Sequence, residues 1–269
     1  MKSPHLATTR STRSTATHLA APWLVLLLVL SACGGTADEA QATAETAEME
    51  MAHNTLSADE VAAGWELIFD GTSTSGWRGY GRDDMPNTWV AENGELVLQA
   101  SSGNMDGGDI MTVAEFTDFE LTFDFKVGPE GNSGVFYRVA EAPEKGLWQV
   151  AAEYQVLDDV AYIDMGTMDM NTHLTGDNYD LQATPSKTMY PTGEWNSGRI
   201  LIEGNHVEHW LNGAMTVQYD LYSDEWEELV ANSKFGTEEF FARAPSGSIA
   251  LQDHGTPVWF RNMKIRPIG

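Results

Sequence analysis

Nine consecutive residues constrain this chain more than any others: Phe119, Leu121, Phe123, Phe125 and Val127 alternate without a break with Glu120, Thr122, Asp124 and Lys126. Side chains of a strand point to opposite faces in turn, so this run has one buried face and one wet face. An aromatic face of that kind needs a second layer to cover it. Short runs rich in Val, Ile, Leu, Phe and Trp recur at Trp65–Phe69, Glu95–Gln99, Asp109–Val113, Gly134–Val139, Ala152–Leu157, Arg199–Glu203, His206–Leu211, Met215–Tyr219, Gly247–Gln252 and Val258–Ile265. Gly, Asn, Asp or Pro clusters separate most of them, and no helix of crossover length intervenes. The pattern predicts an all-β fold: a two-sheet antiparallel sandwich of jelly-roll type. One short helix is expected near 223–231, with Ser223 as cap, Asp224 and Glu225 at the positive end, and Trp226, Leu229 and Val230 as the apolar stripe.

Gly204-Asn205 and Asn212-Gly213 read as hairpin turns. His206 and His209 then fall on opposite strand faces, which prevents them from sharing a metal and puts at least one at the surface. Trp65, Trp77, Trp89, Trp195, Trp210 and Trp259 lie in or beside strands and are expected in the core. Trp148, in the loop Glu144–Gln149, is the better candidate for an exposed stacking platform.

Residues 1–32 read as a lipoprotein signal peptide. Lys2, Arg10 and Arg13 precede a short apolar run, Leu19–Leu30, and Leu30-Ser31-Ala32-Cys33 has the small-residue approach to a cysteine that lipoprotein processing uses. Cys33 is the sole cysteine, so it forms no internal disulfide and is the expected lipidation site and membrane anchor. Gly34 and Gly35 after it, in place of Asp, fit onward transfer to the outer membrane of a double-membrane bacterium. Residues 33–60 form an acidic tether expected to be flexible, because Ala, Thr, Glu, Gln and Met with no aromatic bury too little to offset chain entropy. The folded domain is expected over 61–269. Removing the three leader cations leaves 12 basic against 40 acidic residues, which excludes nucleic acid as a partner, since a phosphate backbone requires Lys and Arg.

The last seventy residues are dense in polar motifs: Glu194-Trp195-Asn196, His209 to Gly213, Leu251-Gln252-Asp253-His254-Gly255 and Phe260-Arg261-Asn262. Core packing alone does not ask for so many amides, acids and imidazoles, so they point to a site. Strand alternation puts Glu153, Gln155 and Leu157 on one side, with Asp158 and Asp159 at the strand end, aligns Arg138 with Phe136, and pairs Gln252 with His254. On a shared concave sheet, Arg138, Glu153, Gln155, Gln252 and His254 converge. Asp253 serves either a site or a turn at His254-Gly255. Asn132 and Ser133, in the Gly131–Gly134 loop, serve either a ligand's polar groups or the turn itself.

With Gly64 to Gly71, Trp77, Asp118 to Leu121, Gly131 to Arg138, Glu153 to Asp159, Thr175-Gly176 and the late motifs in this order, the chain resembles the 3-keto-disaccharide hydrolase family over nearly all of Gly64–Pro267. The resemblance implies a concanavalin-like jelly roll acting on glycosides already oxidised to a ketone at carbon 3. The stretch Asp177 to Pro185 follows the family pattern only loosely. A ketone at carbon 3 acidifies the proton on carbon 2, so a base can remove that proton and expel the aglycone from carbon 1. Water then adds across the double bond, and the net result is hydrolysis.

Such chemistry needs a base, an enolate stabiliser and an acid. His254 or Glu153 is the expected base. Arg138 is the expected stabiliser, or else a divalent metal held by Glu153, Asp158 or His254. Gln155, Asp158, Gln252, Asp253, Asn132 and Trp148 are the expected substrate contacts. No organic cofactor is expected, and an upstream sugar 3-dehydrogenase would supply the substrate. A non-catalytic cell-surface carbohydrate-binding module is the alternative. A laminarinase-type glycosidase fits less well, because Glu153, Gln155 and Asp158 do not supply its alternating carboxylates.

Overall fold

The computed structural model describes residues 53–100, 105–142, 144–166 and 170–269. The leader, Cys33 and the tether up to residue 52 lie outside them. Its strands are β1 (Glu66–Leu67), β2 (Trp77–Gly79), β3 (Trp89–Glu92), β4 (Glu95–Leu98), β5 (Ile110–Thr112), β6 (Phe119–Val127), β7 (Asn132–Val139), β8 (Glu153–Leu157), β9 (Asn196–Glu203), β10 (His206–Leu211), β11 (Ala214–Asp220), β12 (Ser248–Leu251) and β13 (Val258–Pro267). They form two antiparallel sheets. The larger runs β11-β10-β9-β6-β13-β4-β3, with β1 also on β13, and the smaller runs β2-β5-β12-β7-β8. This is the expected sandwich, with β6 as the central strand of the larger sheet. All eleven expected runs are strands. β2 and β3, three and four residues long, were too short to show a period.

Phe119, Leu121, Phe123, Phe125 and Val127 are buried between the sheets, and their alternating partners are half-exposed on the other side. Each such side chain contributes about 1.5–3 kcal/mol by leaving water. The Phe123 ring fills the space that a Cβ on Gly198 of β9 would need, so a glycine there lets the neighbouring strand pass over a phenyl group. Asn212 and Gly213 both have positive φ, as the β10–β11 turn requires.

The expected helix is present as α3 (Asp224–Asn232), with Ser223 Oγ accepting from Trp226 N at 3.1 Å. Two further helices escaped the sequence reading, α1 (Ala58–Ala62) and α2 (Asp159–Met165). Helix α1 straddles the expected boundary between the tether, 33–60, and the domain, 61–269. Its Ser57 and Glu60 form a reciprocal capping box, and Lys264 donates to Glu60 at 2.7 Å. Asn54 exchanges two hydrogen bonds with Asn262, at 2.7 and 2.8 Å. Residues 53–62 thus pack with the domain rather than with a free tether.

The four outer tryptophans correct a second expectation. Trp77 and Trp89 are core residues, but Trp65, Trp195, Trp210 and Trp259 are half-buried on the outer face of the larger sheet. Lys126 lies 4.6 Å over Trp195 and 4.7 Å over Trp259, and Arg261 lies 3.9 Å over Trp195. Cation–π contact covers these rings instead of a second layer. No helix among the described residues is long and apolar enough to cross a membrane.

Candidate active site

Register across the smaller sheet defines the site. Ala250 of β12 pairs with Met111 of β5 and with Phe136 of β7, and Phe136 pairs with Glu153 of β8. Phe136, Ala250 and Met111 pack together on the outer face, away from the main core. Glu153 therefore stands on that outer face. Two residues along the strands, alternation aligns a second row on the same face, which runs Asp109, Gln252, Gly134 and Gln155. Gln252 N donates to Gly134 O at 3.1 Å and locks this row in register.

Gly134 shapes the site. A Cβ there would collide with Glu153 Oε1, so the missing side chain lets the Glu153 carboxyl lean over Gly134 into the polar row. The Glu153 side chain is 4% exposed. It has no hydrogen bond or ion pair among the described residues. Burial pushes its carboxyl well above the usual carboxylate range, Lys234 pulls it down and Asp109 pushes it further up. Gly134→Ala is expected to displace the carboxyl and lower kcat about 100-fold while leaving the melting temperature nearly unchanged; steady-state kinetics beside thermal unfolding checks this.

Lys234 and Asp109 both escaped the sequence reading. Lys234 follows α3, in a short turn capped by Ser233, and nothing in the local pattern singles it out. Its Nζ lies 4.0 Å over the Tyr179 ring and 5.1 Å over the Trp148 ring, while Tyr179 N donates to Glu153 O at 3.1 Å. The ammonium has no ion-pair partner among the described residues, and burial lowers its pKa against the pull of Asp180 and Glu153. Trp148 is 39% exposed at this rim, where a platform was expected. Asp109 sits just before β5 and reads as a strand-edge acid. It is half-buried, its Oδ1 accepts from Asp253 N at 2.8 Å, and burial pushes its carboxyl up to about 6. Beside it Tyr80 N donates to Asp109 O at 2.8 Å, and Tyr80 lines an open cleft of about 730 Å3 together with Arg78, Arg82, Glu141 and Lys145.

Of the residues expected from sequence, the outer face gathers Glu153, Gln155, Gln252 and Asn132. Asn132 pairs with Leu157 on β8, and its Oδ1 is buried with no partner among the described residues. An acceptor in that condition suits a sugar hydroxyl.

Arg138 is not on this face. A bulge places Tyr137 and Arg138 together opposite Ile249, with Arg138 at φ 50°, and this reverses the alternation. The guanidinium turns towards the larger sheet, where it bonds Asp118 at 2.8 Å, Thr117 O at 2.7 Å and Gly204 O at 2.9 Å. It neither pairs with Glu153 nor faces the polar row. His254 is exposed in the loop after β12. Asp253 organises that loop, accepting from Thr88 Oγ1, Gly108 N and Gly255 N at 2.9 Å each.

Asp158 caps α2, and both of its oxygens are engaged, by Ala161 N and Thr192 Oγ1 on one side and Glu130 N on the other. Glu153, Asp158 and His254 therefore do not form a ligand set, and among the described residues no group of three His, Cys, Asp or Glu is placed to hold a metal.

The late polar motifs prove largely structural. Asn196 Oδ1 accepts from Tyr190 N and from Asn212 Nδ2, and Asn212 Oδ1 accepts from Ser197 N, each at 2.8 Å. Asn262 supports the bulge in β13 and donates to Asp124 at 2.7 Å. His209 is fully buried against the Tyr137 hydroxyl at 3.0 Å, and burial lowers its pKa to about 3. His206 is the surface member of the pair.

Residues 64–266 match the model of the 3-keto-alpha-glucoside-1,2-lyase-like domain. The chain belongs to this family. A 3-keto-disaccharide hydrolase from Bacteroides thetaiotaomicron is 32% identical over 272 aligned positions, which cover 88% of this chain and 94% of that protein. Among solved structures, a candidate glycosyl hydrolase from Parabacteroides distasonis is 31% identical with a TM-score of 0.74, covering 81% of this chain and all of that one. A second structure from the same organism is 25% identical with a TM-score of 0.60, covering 76% and 99%. Family membership and the shared fold cover the whole two-sheet domain, including both rows of the outer face.

Proposed function

We propose that this protein cleaves 3-keto-glycosides by elimination across carbons 1 and 2 followed by hydration, with Glu153 as the acid that protonates the leaving oxygen. Membership of the family supports glycoside cleavage in general. The observation that carries the finer reading is the buried, unpaired Glu153 carboxyl held over Gly134. A structural carboxylate at that depth would be ionised and paired. One kept protonated near neutrality is suited to give its proton to a departing alkoxide. Lys234, held over the Tyr179 ring without an ion-pair partner among the described residues, supplies positive charge for an enolate oxygen, the role expected earlier of Arg138. The orphan Asn132 Oδ1 takes a sugar hydroxyl.

The test is incubation of the purified protein with a 3-keto-glucoside and with its unoxidised parent, with and without chelator, following aglycone release and enone formation. Release from the keto compound alone, passing through a 2-hydroxy-3-keto-glucal, supports elimination. Release from both means ordinary hydrolysis, and tight binding without release means a surface carbohydrate-binding module. The ketone itself must be supplied by an oxidoreductase acting on the 3-hydroxyl.

Acylation at Cys33 and an outer-membrane location remain part of the proposal. Fractionation of cells expressing the full chain is expected to place it in the outer membrane and Cys33→Ser in the soluble fraction; recovery of the native chain from the inner membrane would refute the location.

A further inference from the structure

We infer that Asp109 is the base that removes the proton from carbon 2, forming with Glu153 a two-carboxyl device across the polar row of the smaller sheet. This rests on the 3-keto-glycoside reading and adds a catalytic residue to it. Asp109 lies on the outer face because Ala250 pairs with Met111 and Leu251 with Ile110, and the next step of the same register aligns Gln252 with Asp109. Gln252 is in turn aligned with Gly134 through the Gln252 N to Gly134 O bond. Asp109 and Gly134, over which the Glu153 carboxyl leans, are thus separated by two strand spacings, about 10 Å between backbones, with only Gln252 between them. That span accommodates one sugar ring with a carboxyl at each side.

The two acids also differ in the way acid–base partners must. Glu153 is buried, without a hydrogen bond. Asp109 is half-buried, with Oδ1 held by Asp253 N at 2.8 Å and Oδ2 without a partner among the described residues. A fixed carboxylate with one free oxygen is a positioned base. This gives the loop motif Leu251-Gln252-Asp253 a defined purpose: Asp253 fixes the loop through Thr88, Gly108 and Gly255 and presents its own N–H to Asp109. Desolvation places the proton on Glu153 and leaves Asp109 the group that ionises near 6.

The steps balance. Asp109 takes the proton from carbon 2, and the carbon–hydrogen pair forms the enolate with the carbon 3 carbonyl. The enolate then re-forms the carbonyl, its pair becomes the bond between carbons 1 and 2, and the bond from carbon 1 to the glycosidic oxygen breaks. That oxygen takes the proton of Glu153. In hydration, water adds its oxygen to carbon 1, Glu153 receives a water proton and Asp109 returns its proton to carbon 2.

The experiment compares wild type, Asp109→Asn and Glu153→Gln on a 3-keto-glucoside, following aglycone release and exchange of the carbon 2 proton for deuterium in heavy water. Asn keeps the Oδ1 acceptor for Asp253 N, and thermal unfolding checks that the variant folds. Asp109→Asn is expected to lose both exchange and release by about 1000-fold, whereas Glu153→Gln retains exchange and loses release of an alkyl aglycone. Asp109→Ala is expected to regain exchange on addition of formate. If wild type releases aglycone and Asp109→Asn still exchanges at the wild-type rate, Asp109 is not the base. If wild type itself releases nothing from the keto compound, the 3-keto-glycoside reading fails instead.

Discussion

Glu153→Gln is expected to lower kcat/KM for a 3-keto-glucoside with an alkyl aglycone about 1000-fold, the upper part of the range for loss of a general acid. Gln has the same shape and volume, so it keeps the position over Gly134 and the neighbouring packing of Phe136. What it loses is the proton for the departing oxygen. A nitrophenyl aglycone leaves without protonation, so on that substrate the same variant is expected to lose less than about 10-fold. The pH profile adds an independent sign. An acid works only while protonated, and burial holds Glu153 protonated well above the ordinary carboxylate range. Wild-type activity should therefore fall as pH rises through the folded-state pKa of Glu153, and the Gln variant should lack that alkaline limb. Equal losses on both aglycones, with the limb retained, would remove Glu153 from the acid role.

The sheets were legible in sequence because burial writes its period directly into β6. Alternation from Phe119 to Val127 needs no tertiary information, and neither does the Asn212-Gly213 turn, where both residues adopt positive φ. Glu153 was legible for the same reason: β8 is regular, so Glu153, Gln155 and Leu157 share a face. Where regularity stops, the inference from sequence stops with it. The alternation that carries Phe136 onto the site carries Arg138 there too on paper. The bulge at Tyr137-Arg138 reverses the parity, and no glycine marks it. Continued alternation would align His254 with Gln252, but β12 ends at Leu251.

Asp109 and Lys234 were invisible for a different reason. Their importance depends on which strand lies beside which, and the neighbours of β5 and of the turn after α3 are fixed only by non-local pairing. The polar motifs of the last seventy residues misled in the opposite direction. The side chains of Asn196, Asn212 and Asn262 accept from the backbone N–H groups of Tyr190, Ser197 and Asn54, and a buried N–H or C=O without such a partner costs free energy comparable to a lost hydrogen bond. An amide required by that need looks, in one dimension, like an amide reserved for a ligand.

Arg138→Ala is expected to act on stability rather than on chemistry, lowering unfolding free energy by about 3 kcal/mol. The side chain is 6% exposed and makes three hydrogen bonds, to Asp118, Thr117 O and Gly204 O. It joins β7 of the smaller sheet to the start of β6 and the β9–β10 turn of the larger one. Removing it leaves two carbonyls and a carboxylate short of a donor at the seam between the layers. Asp118 keeps contact with water, at 28% exposed, which holds the cost below that of a fully buried orphan charge. For a domain of this size the melting temperature should fall by roughly 6–12 °C. Arg138→Lys should recover only part of this, since one ammonium cannot span three acceptors as a planar guanidinium does. Assayed well below its melting point, Arg138→Ala is expected to keep kcat within about 3-fold of wild type, because its contacts do not face the polar row. A loss of turnover comparable to that of Glu153→Gln, at an unchanged melting temperature, would return Arg138 to the active site and overturn the placement of the bulge.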